Sequence, residues 1–273
     1  MSKVEQDKNK IIFGYLGEFM RTLYQFPLSH FCEKARWMLD HKELEYVAHN
    51  LVPIVHRAFA KLKTGQYKLP ILHDREQWIA DSTKIAVYLD DVYPERTLLR
   101  AEKVQRTAAL EINDLANELG RHVRRWTMAH ALSKDEESLD ILIGEKGYLR
   151  QFEKYSKPIM KSLVSKGLKL DEEQITASKI KLDELVNILN QKLIEQQGRY
   201  FVGDRLGLAD IAVCSMLAPI LEIEGTPWEK EHGEISSEEF RKFKATLLDM
   251  PLGQYVLRIY QTERNARVDW RGV

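Results

Sequence analysis

The sequence predicts a mixed α/β domain followed by an all-helical domain. A short apolar run at 23–26 leads through a turn into an amphipathic helix. An apolar run at 67–72 and a capped helix from 81 to 89 continue the alternation of strands and helices. Beyond residue 104, apolar residues recur at the three- and four-residue spacing of helices. From the N-terminus, the sequence predicts an N-terminal extension (1–19), the α/β domain (20–95), a linker (96–103) and the helical domain with a C-terminal tail (104–273).

Composition excludes several classes of protein. The chain has 273 residues, and 41 basic side chains balance 41 acidic ones. Zero net charge argues against a general affinity for nucleic acid or acidic membranes. No apolar stretch approaches the roughly 20 residues that span a bilayer, and the run at 11–16 lacks the pattern of a secretory leader. The two cysteines suit a reducing cytosol, and neither they nor the histidines show the spacing of metal ligands. We therefore expect a cytoplasmic protein without a metal, nucleic-acid or membrane partner.

The first strand and helix meet at a turn suited to binding an anion. Ser29 is a good N-cap, and Phe31, Ala35 and Leu39 follow at helical spacing. Free backbone N–H groups and the positive end of the helix dipole favour negative charge at such a turn. Cys32 lies inside the first turn, so we expect its thiol to be rotated away and buried.

Ser29 to Cys32 resembles the active-site turn of the thioredoxin superfamily, with serine in place of the first cysteine. The run Ser-x-Phe-Cys-x-Lys-x-Arg is similar to the first helix of soluble glutathione transferases, in particular bacterial-like members with a serine-type active site. The resemblance implies a thioredoxin-like first domain in which Ser29 is catalytic. His30 replaces the usual proline of the family, and we expect it to be an exposed first-turn residue.

The segment 67–72 carries a second match. Because a central strand would exclude Pro70, that residue should begin the strand, and a cis bond fits there. In the resembled superfamily, this proline faces the active-site turn. The resemblance implies that Leu69 presents its backbone to the cysteinyl part of glutathione and that Lys68 contacts the tripeptide's backbone or glycine carboxylate. His56, in a basic segment predicted as a loop with a short helix, is expected among the glutathione contacts. The Leu-Pro-Ile-Leu run alone would indicate only a strand entry.

The third match is the helix start at Asp81 and Ser82. Free N–H groups beside a hydroxyl can hold a carboxylate, and the adjacent Asp81 can pair with an ammonium. The γ-glutamyl end of glutathione carries both charges, and the pair resembles the acidic-Ser motif that holds this end in glutathione transferases. Alone, an Asp-Ser pair indicates only a helix cap.

The helical domain shows one candidate site and one buried cap. Four basic residues cluster on the first long helix: Arg121, His122, Arg124 and Arg125. They form either a solvated face near a helix end or the border of a substrate cleft. Further on, Gly207 occupies a cap position at which the family has Ser or Thr, so only Asp210 can make the reciprocal side-chain bond. Cys214 is expected to be a core thiol.

The three matches predict an enzyme that ionises the thiol of glutathione and directs it to an electrophilic small molecule, as in detoxification. A thiol of pKa about 8.5 needs roughly 2.7 kcal/mol for a two-unit decrease. A hydroxyl hydrogen bond of about 1.5 to 3 kcal/mol and a helix N-terminus of about 0.3 to 1 kcal/mol suffice for that. The alternatives are a thiol transferase that uses Cys32 and a non-catalytic interaction module of the same fold. The resemblance also implies a homodimer.

Overall fold

The computed structural model describes residues 21–52, 55–134, 170–229 and 237–273. The extension predicted at 1–19 and most of the helical pieces predicted at 135–175 lie outside the described residues. The described residues contain four strands and eight helices, numbered here in chain order. They are β1 (Thr22–Gln25), α1 (His30–His41), β2 (Val47–Asn50), α2 (Val55–Thr64), β3 (Ile71–Asp74), β4 (Gln77–Ala80), α3 (Ser82–Val92), α4 (Lys103–Lys134), α5 (Glu172–Gln196), α6 (Leu208–Leu221), α7 (Glu238–Asp249) and α8 (Pro251–Glu263).

The four strands form one sheet in the order β2-β1-β3-β4. β1 runs parallel to β2 and antiparallel to β3, and β3 and β4 are antiparallel neighbours. In this register Ile71 lies opposite both Tyr24 and Ala80. The ends of β1 and β4 and the beginning of β3 therefore meet at one end of the sheet, and the end of β2 joins them there. This arrangement confirms the predicted α/β domain.

The helical part is arranged around α6, which is buried along its whole length. α4 packs along α5 and α6, and α1 of the α/β part packs against α6 as well. The predicted face of α4 is confirmed, because Leu119, Val123 and Trp126 are completely buried. Cys214 is also completely buried, as predicted for a core thiol. Each described helix is too short or too polar to cross a bilayer.

The predicted cap of α6 is present. Gly207 is the N-cap residue and its backbone N–H donates to Asp210 Oδ2 at 2.8 Å. The other oxygen, Asp210 Oδ1, accepts from the backbone N–H of Phe201 at 2.7 Å. A Cβ on Gly207 would lie 2.8 Å from the backbone oxygen of Leu98, so only glycine fits this close approach. One buried carboxylate thus closes the turn before α6.

The C-terminal tail returns to the α/β sheet, which the polar sequence of the tail did not predict. The backbone N–H of Val273 donates to the oxygen of Ala48 at 2.8 Å, and the N–H of Asn50 donates to the oxygen of Val273 at 2.7 Å. The side chain of Gln25 donates to the backbone oxygen of Trp270 at 3.0 Å. The tail therefore occupies the open edge of β2.

Candidate active site

The sheet register brings together the three segments that the sequence singles out. Ser29 follows the end of β1, Pro70 directly precedes β3, and Asp81 directly follows β4. Since Tyr24, Ile71 and Ala80 are adjacent across the three strands, these segments leave the sheet at the same end. Neighbours in the chain place Leu69 and Ser82 there too. The structure therefore joins residues up to 53 positions apart in one candidate site.

Ser29 is the N-cap of α1, as predicted. Its backbone is extended, with φ −89° and ψ 114°, and its Oγ accepts from the backbone N–H of Cys32 at 3.4 Å. The side chain is half-buried. Because the hydroxyl oxygen acts as the acceptor in this cap, its own proton remains available for donation to a group in front of the helix. The geometry suits stabilisation of an anion at the start of α1.

Cys32 is completely buried, which confirms the predicted orientation. The backbone N–H of Phe26 donates to Cys32 Sγ at 3.5 Å. Burial raises the pKa of the thiol, and the hydrogen bond to Ser29 only partly opposes this increase. A buried thiol with a raised pKa is a poor nucleophile. Cys32 therefore packs beneath the site and does not present a thiolate to it.

The prediction that His30 is exposed is wrong. Its side chain is buried, and Nε2 lies 2.8 Å from the backbone oxygen of Gly120 in α4. Burial, and then the positive charge of Arg124, lowers the pKa of His30 to about 3. The physical reason is the missing side chain of Gly120, where a Cβ would lie 3.1 Å from His30 Nε2 and 2.2 Å from Met216 Sδ. His30 is thus a neutral contact between α1 and α4.

The second segment enters β3 through a cis peptide bond between Leu69 and Pro70, as the sequence allowed. Pro70 is buried, Leu69 is half-buried and Lys68 is exposed just before them. His56 lies in the first turn of α2, and its ring packs against Phe26 with 4.7 Å between ring centroids. Burial lowers the pKa of His56. All of these predicted residues lie beside the same end of the sheet.

Asp81 combines a helix cap with an unusual backbone. It is the N-cap of α3, and its Oδ1 accepts from the N–H groups of Thr83 at 2.8 Å and Lys84 at 3.2 Å. Its φ of 82° is in a region that residues other than glycine adopt rarely and that is concentrated at ligand sites. Asp81 is exposed, and its Oδ2 has no hydrogen-bond partner in the described part of the chain. The carboxylate can therefore cap the helix and accept from a ligand at once.

A buried polar cluster supports the start of α3 from behind. Lys34 in α1 is completely buried, and its Nζ donates to Asn117 Oδ1 at 3.1 Å, to Thr83 Oγ1 at 3.4 Å and to Asn113 Oδ1. Burial lowers the pKa of Lys34 to about 7. The cluster ties α1 to α4 and to the residue after Ser82. Sequence reasoning missed it, although two asparagines one turn apart on a core-facing stripe were a usable signal.

Two family models match the sequence. The glutathione S-transferase N-terminal domain matches residues 23–97, and the glutathione S-transferase C-terminal domain matches residues 134–247. Together they cover more than half of the chain. A search of curated protein sequences finds no match.

Solved structures of the same fold cover nearly the whole chain. A glutathione transferase from Phanerochaete chrysosporium is 18% identical, has a TM-score of 0.62 and covers 91% of this chain and 99% of its own. A glutathione S-transferase from Ceriporiopsis subvermispora, crystallised in complex with glutathione, is 16% identical, has a TM-score of 0.61 and covers 91% of this chain and 98% of its own. A beta-etherase from Sphingobium is 20% identical, with a TM-score of 0.55 and coverage of 88% and 99%. At these identities the similarity shows the fold.

Proposed function

Because the chain belongs to the glutathione S-transferase family, we propose that it is an enzyme that binds glutathione at the end of the sheet and directs the sulfur to an electrophilic small molecule. The observation that carries this proposal is the convergence of Ser29, the Leu69–Pro70 bond and the Asp81–Ser82 pair at one place. An interaction module of this fold would not need the exposed carboxylate of Asp81 with its unusual backbone. It would also not need the Ser29 hydroxyl, whose proton is available for donation.

Ser29 is the proposed catalytic residue. Glutathione, when bound, supplies the sulfur nucleophile. The Ser29 hydroxyl donates to the sulfur and stabilises its thiolate by about 1.5 to 3 kcal/mol. The N–H groups and the dipole at the start of α1 add about 0.3 to 1 kcal/mol. These two contributions together are enough to shift a thiol pKa by about two units, so no cationic side chain is required next to the sulfur.

Asp81 and Ser82 form the proposed site for the γ-glutamyl end of glutathione. Asp81 Oδ2 accepts from the ammonium, and the Ser82 hydroxyl and the first N–H groups of α3 hold the carboxylate. The backbone of Leu69, oriented by Pro70, contacts the cysteinyl part. Lys68 and His56 are the remaining proposed contacts of the tripeptide, with Lys68 at its backbone or glycine carboxylate.

A thiol transferase that uses Cys32 is the weaker proposal. Mixed-disulfide chemistry requires an accessible thiolate of low pKa. Cys32 has no exposed surface, and its burial raises its pKa. The structure of the turn therefore favours Ser29 over Cys32 as the residue that meets the sulfur.

The test compares Ser29→Ala with Cys32→Ser in conjugation of glutathione to a chloronitrobenzene and in reduction of a glutathione mixed disulfide. We expect Ser29→Ala to lower the conjugation turnover by about 10- to 1,000-fold, the range for loss of one stabilising donor. Cys32→Ser should alter stability and leave conjugation in place. If Ser29→Ala retains full conjugation while Cys32→Ser abolishes disulfide reduction, the roles are reversed. Absence of glutathione binding in calorimetry at millimolar ligand would refute the enzyme proposal altogether.

A further inference from the structure

One stripe of α4 faces α1 and the start of α3. Asn113 and Asn117 contact Lys34, and Gly120 contacts His30. These positions step by four and three residues, so they lie on one face of the helix. Lys34 follows His30 in α1, whereas the asparagines that it contacts precede Gly120 in α4. The two helices are therefore antiparallel along this stripe.

Arg124 is the next residue of the same stripe. It follows Gly120 by four residues, so it lies about one helical turn further along, roughly 6 Å beyond the contact with His30. Because α1 begins at His30 and runs the other way, a turn beyond that contact passes the N-terminal end of α1. This is the side on which Ser29 caps the helix. Arg124 therefore borders the space in front of Ser29.

The guanidinium of Arg124 has no partner for its charge among the residues that the structure describes. In the described part of the chain it makes no hydrogen bond and no ion pair. Its side chain is exposed to solvent, yet the surrounding protein, and then Arg125 and Arg121, lower its pKa. A side chain that is exposed to solvent and also close to other protein groups is expected on the wall of a cleft. Three arginines within five residues make this wall positive, although the chain as a whole has zero net charge.

The neighbouring arginines differ from Arg124 in their positions. Arg125 is turned about 100° around the helix and donates to Ser178 Oγ in α5 at 2.6 Å, so it is engaged in packing of the helical part. Arg121 precedes Arg124 by three residues, is turned about 60° from it around the helix and is exposed. Of the three arginines, Arg124 lies nearest the middle of the row that contacts α1.

We propose that Arg124 is a specificity-determining residue that binds an anionic group, such as a carboxylate, of the electrophilic substrate. The proposal rests on the proposed function, since it places the electrophile between Ser29 and α4. A guanidinium binds a carboxylate through two parallel N–H···O bonds, which orient the bound molecule as well as attract it. An unpaired arginine in a partly enclosed space gains more from such a partner than one in open solvent. The preferred substrates are therefore electrophiles that carry a carboxylate at a distance from the reacting carbon.

The test uses a matched pair of electrophiles, 4-chloro-3-nitrobenzoate and its neutral analogue 4-chloro-3-nitrobenzamide. In both reactions a carbon–sulfur bond forms, the carbon–chlorine bond breaks, chloride leaves with the electron pair and the thiol proton passes to solvent. We expect Arg124→Gln to lower the ratio of kcat/KM for benzoate over benzamide by about 10- to 100-fold, as for loss of a charged hydrogen bond. Arg124→Lys should retain part of the ratio. Arg121→Gln, the control that removes the same charge from a neighbouring position, should leave it nearly unchanged.

Other results would overturn the proposal. An unchanged benzoate-to-benzamide ratio in Arg124→Gln would show that Arg124 does not contact the substrate carboxylate. An equal decrease of the ratio in Arg121→Gln would show that the positive charge of the helix acts without a specific contact. If both substrates slow equally and the pH profile with the benzamide shifts upward, Arg124 acts on the sulfur instead. If wild-type protein conjugates neither compound nor the chloronitrobenzene and does not bind glutathione, the proposed function fails. In that case titration with 3-nitrobenzoate decides: binding lost in Arg124→Gln supports the anion site, and binding that is absent or unaffected refutes it.

Discussion

Asp81 carries two separable tasks on one side chain. Oδ1 caps α3 through two backbone N–H groups, whereas Oδ2 has no hydrogen-bond partner among the described residues. The cap needs only an oxygen acceptor, which asparagine also provides at helix N-termini. An ammonium is attracted to the negative charge, which asparagine lacks. Substitutions at this one position can therefore distinguish folding from binding.

We expect Asp81→Asn and Asp81→Ala both to weaken glutathione binding by about 10- to 100-fold, because each loses a charged hydrogen bond. Only Asp81→Ala should also lose about 1 kcal/mol of stability, because only alanine removes the cap. Calorimetric titration with glutathione and thermal unfolding give the two quantities. Normal binding by Asp81→Asn, alongside early melting of Asp81→Ala, would reduce Asp81 to a cap.

At the scale of elements, the contact between α1 and α4 depends on a histidine that stays neutral. His30 packs against Gly120 with its Nε2 beside a carbonyl oxygen, and its pKa is lowered to about 3. A free histidine has a pKa of about 6.5. The unfolded chain therefore takes up a proton on acidification that the folded protein does not. The stability that the neutral, buried His30 contributes is fully present above pH 6.5 and is lost as the pH falls from there toward 3.

We expect His30 alone to lower the free energy of unfolding by about 1 kcal/mol as the pH decreases from 7 to 5.5. His30→Gln, which keeps a side-chain N–H for Gly120, should make the decrease smaller. His41, whose pKa burial lowers to about 4, contributes in the same direction and remains in the variant. Urea unfolding at several pH values gives the slopes, with the exposed His49→Gln as control. An identical slope in wild type and His30→Gln would contradict the assignment.

The helices were readable from the sequence, but one contact between them was not. The spacing of Leu119, Val123 and Trp126 is a local property, and α4 forms as predicted. The environment of His30 instead depends on Gly120, which is 90 residues away and leaves space for the ring. A glycine inside a long helix is a signal of close approach, but it does not name the approaching residue. The burial of His30 between α1 and α4 therefore could not be predicted from the sequence.

At the scale of the molecule, a buried ionic network joins the tail to the α/β part. Arg264 Nε lies 2.8 Å from Glu33 Oε1, and Arg264 Nη1 lies 2.7 Å from Asp40 Oδ2. Glu33 also pairs with Arg36 Nη2 at 2.8 Å. Burial alone would raise the pKa of Glu33, but Arg264 and Arg36 lower it to about 2. Residues more than 220 positions apart thus share one set of charges.

We expect Arg264→Met to lower the free energy of unfolding by about 3 to 5 kcal/mol, because it leaves buried carboxylates without a partner. Arg271→Met is the matched control. That residue pairs with Asp269 at the surface, where such a change is within about 0.5 kcal/mol. Chemical denaturation of both variants measures the difference. An Arg264→Met variant as stable as the wild-type protein would show that the buried ionic network contributes nothing to stability.

The homodimer remains a prediction from the family. Sedimentation equilibrium at micromolar concentration should give a particle of twice the 31.9 kDa chain mass. A single species of 31.9 kDa would refute it.

The candidate site was largely predictable, since its residues lie in short motifs with local signals: a cap at Ser29, a strand entry at Pro70 and a cap at Asp81. The position of the tail was not, because it depends on partners in α1 and β2 that no local pattern connects to residues 264–273. Polar composition there indicated only a surface segment. The pairing of Arg264 with two acids is visible only when the chain is folded.

The tail also bears on the behaviour of the protein at high concentration. An uncovered edge strand presents unpaired N–H and C=O groups to any second chain, and this is a common route to aggregation. β2 is an edge strand of the sheet, and Val273 covers it by pairing with the backbone oxygen of Ala48 and the backbone N–H of Asn50. Gly272, at φ 62°, comes so close that a Cβ would lie 2.5 Å from the oxygen of Ala48. We expect a larger residue at this glycine to lift the tail and to leave β2 free to pair edge to edge with another molecule.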